Sequence, residues 1–305
     1  MTTTITWYSP SGTEVIFSED SETYKLLLGM KGFSGNPPSA DQITQAPFQD
    51  GATRSGTLYD PRELSFRVLV QGPTLRSMQQ NAQYLSLAFG AHQGEGTLVY
   101  KREDGLKYAI PCIANGKTPG DPEEESPTHF KTTIRLIAYD PVWESYPKTR
   151  TDFAAGSPLQ FPFKFPFKFP SSSPTHTVIN AGNVATPIKL TITGAIVNPT
   201  ITRTYLRTYT DPWGIAVTET VSEAISFTLT MTEGEILTIT TGPGNPSLSL
   251  LHDDGNYDAN PFQYLGANPK FFLLQPGENT VSLTSVSMDA ATTMVSLHGS
   301  RFTAV

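Results

Sequence analysis

Residues 161–170 read Phe-Pro-Phe-Lys-Phe-Pro-Phe-Lys-Phe-Pro. A proline at every fourth position removes a backbone donor each time and excludes a helix, so the tract must be extended. Alternate side chains of a strand share a face. Phe161, Phe163, Phe165, Phe167 and Phe169 therefore lie on one side, with Pro162, Lys164, Pro166, Lys168 and Pro170 on the other. The phenylalanine residues keep their N–H groups for a neighbouring strand, whereas the proline edge has lost most of its donors. This pattern predicts an edge strand that blocks further addition. Each phenylalanine buries roughly 150 Å² when covered, so five on one face need a core, a second domain or a second subunit. A polyproline-like linker, with its repeat of about three residues, would scatter the rings. The tract is expected to pack in the chain's own core, with a neighbouring subunit as the alternative.

A chain of 305 residues has room for two domains with real cores. Its 38% hydrophobic content, 24 Gly and 25 Pro fit a turn-rich β protein rather than a helical one. A net charge of −7 argues against a nucleic-acid-binding surface, which is normally basic. It suits solubility, and equally a wall past which DNA slides without sticking. The single cysteine, Cys112, makes no intramolecular disulfide and sits in the apolar run Ile110-Pro111-Cys112-Ile113, as a buried hydrophobe would. The N-terminus has neither a basic start nor an apolar stretch, and no window reaches membrane-spanning length. A soluble protein without membrane insertion is expected.

Leu64, Phe66, Val68 and Val70 alternate with polar residues, the pattern of a half-buried strand. Leu75, Met78, Ala82, Leu85 and Phe89 then recur at three- and four-residue spacing. They predict one apolar stripe of a helix that opens near Pro73-Thr74 and stops at Gly90. Strands follow around 97–101 and 106–114, and another places Phe130, Thr132, Ile134, Leu136 and Ala138 on one face. Between the last two lies 116–128, whose acidic residues Asp121, Glu123, Glu124 and Glu125 predict a protruding polar loop. From about Val178 onward the pattern is β throughout: Ile188, Leu190, Ile192; Phe227, Leu229, Met231; Leu237, Ile239; Val281, Leu283; Val295, Leu297. Turn residues separate these short runs, which predicts an antiparallel sandwich.

Asn180-Ala181-Gly182, Pro187, Ile192-Thr193-Gly194 and Asn198-Pro199-Thr200-Ile201 run in the order seen in distal tail proteins of long-tailed (siphovirus) bacteriophages, which the chain resembles. The segments 234–241 and 271–281 continue the pattern. Tyr59-Asp60-Pro61-Arg62 and Ala138-Tyr139-Asp140-Pro141-Val142-Trp143 agree in the first half. The resemblance covers nearly the whole chain. It implies an N-terminal ring-forming β domain with one helix over 1–160, a Phe/Pro-rich junction over 161–177, and a C-terminal galectin-like β-sandwich over 178–305. It further implies a homo-hexameric ring in the virion tail, made in the host cytoplasm and placed at the distal end. That ring would be the hub joining the tail tube protein to the tail tip or tail-associated hub protein and anchoring receptor-binding or side-fibre proteins. DNA would pass its channel without specific binding. Thr240 stands where the family often has an acidic residue, and 202–220 has no counterpart in the pattern.

That unmatched stretch carries Tyr205, Arg207, Tyr209 and Trp213, near Arg203. Tyr205, Arg207 and Tyr209 share a strand face, and aromatic faces beside arginine donors suit a sugar ring. They equally suit packing between sheets or against a partner protein. A carbohydrate-binding module that reads the host surface is thus the alternative to a structural ring. The histidines His92, His129, His176, His252 and His298 show no metal spacing, and neither a Gly-x-Ser-x-Gly elbow nor a phosphate loop is present. No enzyme, cofactor or metal is expected. His252-Asp253-Asp254-Gly255-Asn256-Tyr257-Asp258 is oxygen-rich but lacks calcium-loop spacing. It reads as a hairpin turn between 248–251 and 262–265.

Overall fold

The computed structural model describes residues 2–48, 50–90, 93–154, 174–242 and 244–305. The five phenylalanines of 161–169 lie outside the described residues. Two compact units result: residues 1–147 with 302–305, and residues 148–301. The division falls earlier than the pattern suggests, because 149–154 is a strand hydrogen-bonded to 293–298 of the second unit. The last four residues count with the first unit.

In the first unit, Leu64, Phe66, Val68 and Val70 all point inward and are buried, as are Phe130, Thr132, Ile134, Leu136 and Ala138. The elements are β1 (Thr4–Tyr8), β2 (Glu14–Ser18), β3 (Tyr24–Leu26), β4 (Ser39–Thr44), β5 (Thr53–Tyr59), β6 (Arg62–Gln71), α1 (Leu75–Ala88), β7 (Gly96–Lys101), β8 (Lys107–Ala114), β9 (Glu124–Glu125), β10 (His129–Ala138) and β11 (Trp143–Ser145). Seven strands close a barrel in the order β8-β7-β1-β2-β3-β6-β10, with β10 returning to β8 through Leu136 opposite Ala114. Closure removes the exposed edges that an open sheet presents.

The helix begins with a capping box, in which Thr74 Oγ1 accepts from the Ser77 amide and the Ser77 hydroxyl meets the Thr74 amide. Met78, Leu85, Ala88 and the following Phe89 are buried, whereas Leu75, expected in the same stripe, is exposed in the first turn. Trp7 stacks on Phe89 at 4.9 Å and donates from Nε1 to the Ala88 carbonyl at 2.8 Å. Gly96 allows this, since a Cβ there would come within 2.5 Å of the Trp7 ring. Cys112 is fully buried in this core, and burial pushes its thiol well above the ordinary range.

Arg62 is only 2% exposed. Its guanidinium donates to the carbonyls of Gly32 at 3.0 Å, Gly35 at 3.2 Å and Thr303 at 2.5 Å, which ties the chain's end to the barrel. The acidic segment 116–128 does not protrude. The Gly120 and Glu123 amides donate to the carbonyls of Thr133 and Lys131, β9 pairs with β10, and Glu123 bridges Arg67 at 2.6 Å. Backbone hydrogen bonding, which needs no apolar residues, holds it down.

The second unit contains β12 (Thr149–Ala154), β13 (Thr175–Asn180), β14 (Lys189–Thr193), β15 (Ile196–Val197), β16 (Thr200–Thr210), β17 (Ala216–Ser226), β18 (Thr230–Met231), β19 (Ile236–Thr240), β20 (Ser247–Leu251), β21 (Gly277–Thr284), β22 (Ser287–Met288) and β23 (Thr293–His298). A sheet in the order β12-β23-β14-β19-β20 and another in the order β13-β21-β16-β17 are antiparallel throughout. Leu190, Ile192, Leu237 and Ile239 from the first share one core with Val178, Ile201, Ile225, Val281 and Leu283 from the second. This is the predicted sandwich. On β23 the buried face is Met294, Ser296 and His298, not Val295 and Leu297, which are half-buried. Residues 261–264 form a 3-10 turn rather than the second strand of a hairpin.

Candidate functional site

A closed barrel and a sandwich hide their sheets, so surfaces able to meet partners are the parts that stand out from them. The first is the ribbon of β4 and β5, which among the described residues pair only with each other. Its strands are exposed on both faces apart from Gly56. Ile43, Leu58, Tyr59 and the tip residue Phe48 are among the most exposed apolar side chains. Asp41 fastens the ribbon, accepting from Arg54 Nε at 2.8 Å and from Thr57 Oγ1 at 2.6 Å. Those two donors, Thr57 first, hold its carboxyl below the usual range. An isolated two-stranded ribbon is at best marginally stable in water. Sequence reasoning missed it because a strand bare on both sides has no apolar alternation; its one signal is Asp50-Gly51, a turn dipeptide.

The second is the hairpin of β16 and β17. β21 accompanies β16 only from Thr200 to Thr204, so 205–221 run on as a two-stranded arm. The unmatched stretch of the sequence is this arm. Arg203 sits at its base, 1% exposed, bonded to Glu223 and facing Asn279 Oδ1 at 3.5 Å. Its guanidinium carbon lies 4.1 Å from the Tyr205 ring centre, and that of Arg207 lies 5.1 Å from Tyr209. Arg207 also reaches Glu219 at 3.5 Å. The structure therefore gathers Tyr205, Arg207 and Tyr209 on one face, but a guanidinium already occupies one side of each ring. Trp213 stands apart at the tip, 83% exposed. Asp211 Oδ1 accepts from the Trp213 and Ile215 amides at 3.0 and 2.8 Å, and Gly214, at φ +84°, completes the turn.

Elsewhere, an open polar cavity of about 620 Å³ on the barrel is lined by Lys31, Glu63, Arg67, Asn115, Thr133 and Arg135. Among the described residues no three of His, Cys, Asp and Glu gather to hold a metal. The segment at His252 is a tight turn, with the His252 amide donating to the Asn256 carbonyl and Gly255 at φ +79°. No helix of the described residues is long and apolar enough to cross a membrane.

Residues 19–137, from the end of β2 through β10, match the family model of the phage tail protein RIFT-related domain. The barrel from β3 to β10 is thus similar to a phage tail domain. The fold of the whole chain is also similar to known ones. The crystal structure of SPP1 Dit, described as a paradigm of the hub adsorption apparatus in Gram-positive infecting phages, matches at 14% identity over 98% of this chain and 99% of that one, with a TM-score of 0.59. A chain of the phage p2 baseplate in its activated conformation with Sr matches at 12% identity over 98% of each chain, with a TM-score of 0.50. At such identities the likeness is one of fold. No curated protein matches the chain. The matched residues include the β4–β5 ribbon, whereas the arm lies outside them.

Proposed function

We propose that the protein is a non-enzymatic distal tail hub, six copies of which form a ring through their tail domains. The ring would join tail tube to tail tip and leave an open channel for DNA. The galectin-like second unit would offer its arm to receptor-binding or side-fibre proteins. The β4–β5 ribbon carries the ring reading. Its uncovered faces and two open edges need a partner to be stable, and a cyclic assembly supplies one through head-to-tail contacts between different patches. The acidic balance suits a channel that does not retain DNA. Native mass spectrometry of concentrated protein is expected to give a six-fold species, and a variant with 41–57 replaced by a short Gly/Ser turn is expected to remain monomeric and folded. A monomer from the intact chain at every concentration would overturn the ring, and a hexamer from the shortened one would show that the ribbon does not form its contacts.

Direct sugar recognition is the second reading, and Trp213 is the observation that favours it, because its ring is open to solvent at a rigid tip. In this reading Tyr205, Arg207 and Tyr209 support the arm rather than contact the sugar. Trp213→Ala is then expected to abolish glycan-array signal that Tyr209→Ala leaves largely intact. The absence of any glycan signal from the parent protein removes this reading and leaves the arm as a protein-docking element.

A further inference from the structure

The polar cavity of the barrel lies on the outside of β6 and β10. Leu64, Phe66, Ile134 and Leu136 are buried, so the alternate residues Glu63, Ser65, Arg67, Thr133 and Arg135 face away from the core. Across the ladder Ser65 is paired with Arg135, and Arg67 with Thr133. On the other flank Lys31 bridges Ser65, the Lys31 amide donating at 2.8 Å and the Ser65 amide at 3.0 Å. One row therefore runs Lys31, Ser65, Arg135. A small hydroxyl residue stands between two long cations whose backbones are two strand spacings apart, roughly 10 Å. All of these residues line the cavity, together with Glu63. Arg67 is bridged to Glu123. Lys31 and Arg135 are exposed, and neither forms an ion pair among the described residues.

The same barrel carries the complementary feature at the far end of β6. Glu19, Asp20 and Glu22 crowd the turn between β2 and β3, and all three are exposed. Asp41, Asp104 and Asp121 each meet a cation, from Arg54, Arg102 and Lys117. The three acids of the turn have no such partner among the described residues. The turn is held in shape, because Ser18 Oγ accepts from the Asp20 amide at 3.3 Å and Ser21 Oγ from the Tyr24 amide at 3.0 Å. Gln71 Nε2 donates to the Ser21 carbonyl at 3.2 Å, which fixes the turn beside the end of β6. Gln71 lies six residues along that strand from Ser65, roughly 20 Å. The acids are thus out of reach of their own chain's cavity. We propose that the cavity on β6 and β10 receives the 19–22 turn of a second copy, whose carboxylates lie between Lys31 and Arg135. This rests on the assembly of copies proposed above and adds which two surfaces meet. Two different patches of one barrel make a head-to-tail contact. An arginine grips a carboxylate through two parallel N–H bonds while the lysine adds a point charge. A turn already fixed by its own hydrogen bonds loses little freedom on docking. Glu63 in the lining and the net charge of −7 disfavour a polyphosphate in the same place.

The test is zero-length carbodiimide coupling of the full-length protein, using an equal mixture of unlabelled and nitrogen-15-labelled chains, read by peptide mass spectrometry. Lys31 is expected to couple to a carboxylate of 19–22 in products that join one light and one heavy chain. High salt is expected to lower the yield several-fold, because the charges are exposed. Arg135→Glu, which leaves both coupling partners in place, is expected to lower it about tenfold by setting like charges together, whereas Arg135→Lys keeps most of it. No mixed-isotope product at Lys31 while other lysines couple, or a yield in Arg135→Glu equal to the parent's, would overturn the contact. A six-fold species lacking the product leaves the ring standing and removes this contact. The product in an assembly that is not six-fold supports the contact and removes the ring.

Discussion

Arg62→Ala is expected to lower the stability of the first unit by on the order of 4 kcal/mol, through orphaned acceptors of about 1–3 kcal/mol each. Three carbonyls, those of Gly32, Gly35 and Thr303, lose a donor, and the side chain leaves a cavity in a site that is 2% exposed. Burial lowers the guanidinium's pKa, yet an arginine so surrounded by carbonyl oxygens remains charged. Because Thr303 follows the whole of the second unit, the loss is not local. The terminal segment that places Phe302 edge-on to Tyr108 at 5.4 Å is expected to come free. Differential scanning calorimetry should show the transition of the first unit falling by about 10 °C, given roughly 2–4 °C per kcal/mol for a domain of this size. Limited proteolysis should then remove the C-terminal residues first. Arg62→Lys tests the geometry, since one ammonium cannot reproduce the planar fork that reaches three carbonyls. A parent-like transition in Arg62→Lys would show that charge, not the fork, holds the end of the chain.

What the sequence makes legible here follows from which faces are wet. Strands with one covered face announce themselves, as β6 and β10 do, because burial imposes period two on Leu64 to Val70 and on Phe130 to Ala138. The helix is visible for the same reason at period 3.6, and Leu75 departs from the stripe because it stands in the first turn. The β4–β5 ribbon is bare on both sides, so nothing imposes a period on it. On β23 the larger apolar residues, Val295 and Leu297, sit on the half-covered face, while Ser296 and His298 occupy the inner one. Parity read from hydrophobicity alone points the wrong way there. The acidic segment before β10 was invisible as structure because backbone bonds, not side chains, hold it. In the candidate site, the shared face of Tyr205, Arg207 and Tyr209 follows from strand periodicity. The burial of Arg203 does not, since nothing local in a sequence distinguishes a buried arginine from a solvated one.

That burial has a measurable consequence. Arg203 and Glu223 are cross-strand neighbours at the point where the arm leaves the sheet, with side chains 2% and 27% exposed. Removing one partner of a buried pair costs about 3–5 kcal/mol, because the other charge stays behind without compensation. Glu223→Ala is expected to cost that much in the second unit, read by chemical denaturation. Asn279 Oδ1, at 3.5 Å, is the remaining side-chain acceptor near the guanidinium, and it is neutral. Replacing both residues together, Arg203→Met with Glu223→Leu, removes the charges along with their desolvation and is expected to recover most of the loss. The arm should respond differently from the sandwich. Tyr205 has Arg203 against one side of its ring, so the double variant withdraws support from the first residue beyond β21. Hydrogen exchange in 205–221 is then expected to rise even where global stability has returned. If exchange there stays at the parent level, the cross-strand ladder from Tyr205 to Thr210 holds the arm by itself. Arg203 would then serve the sandwich core alone.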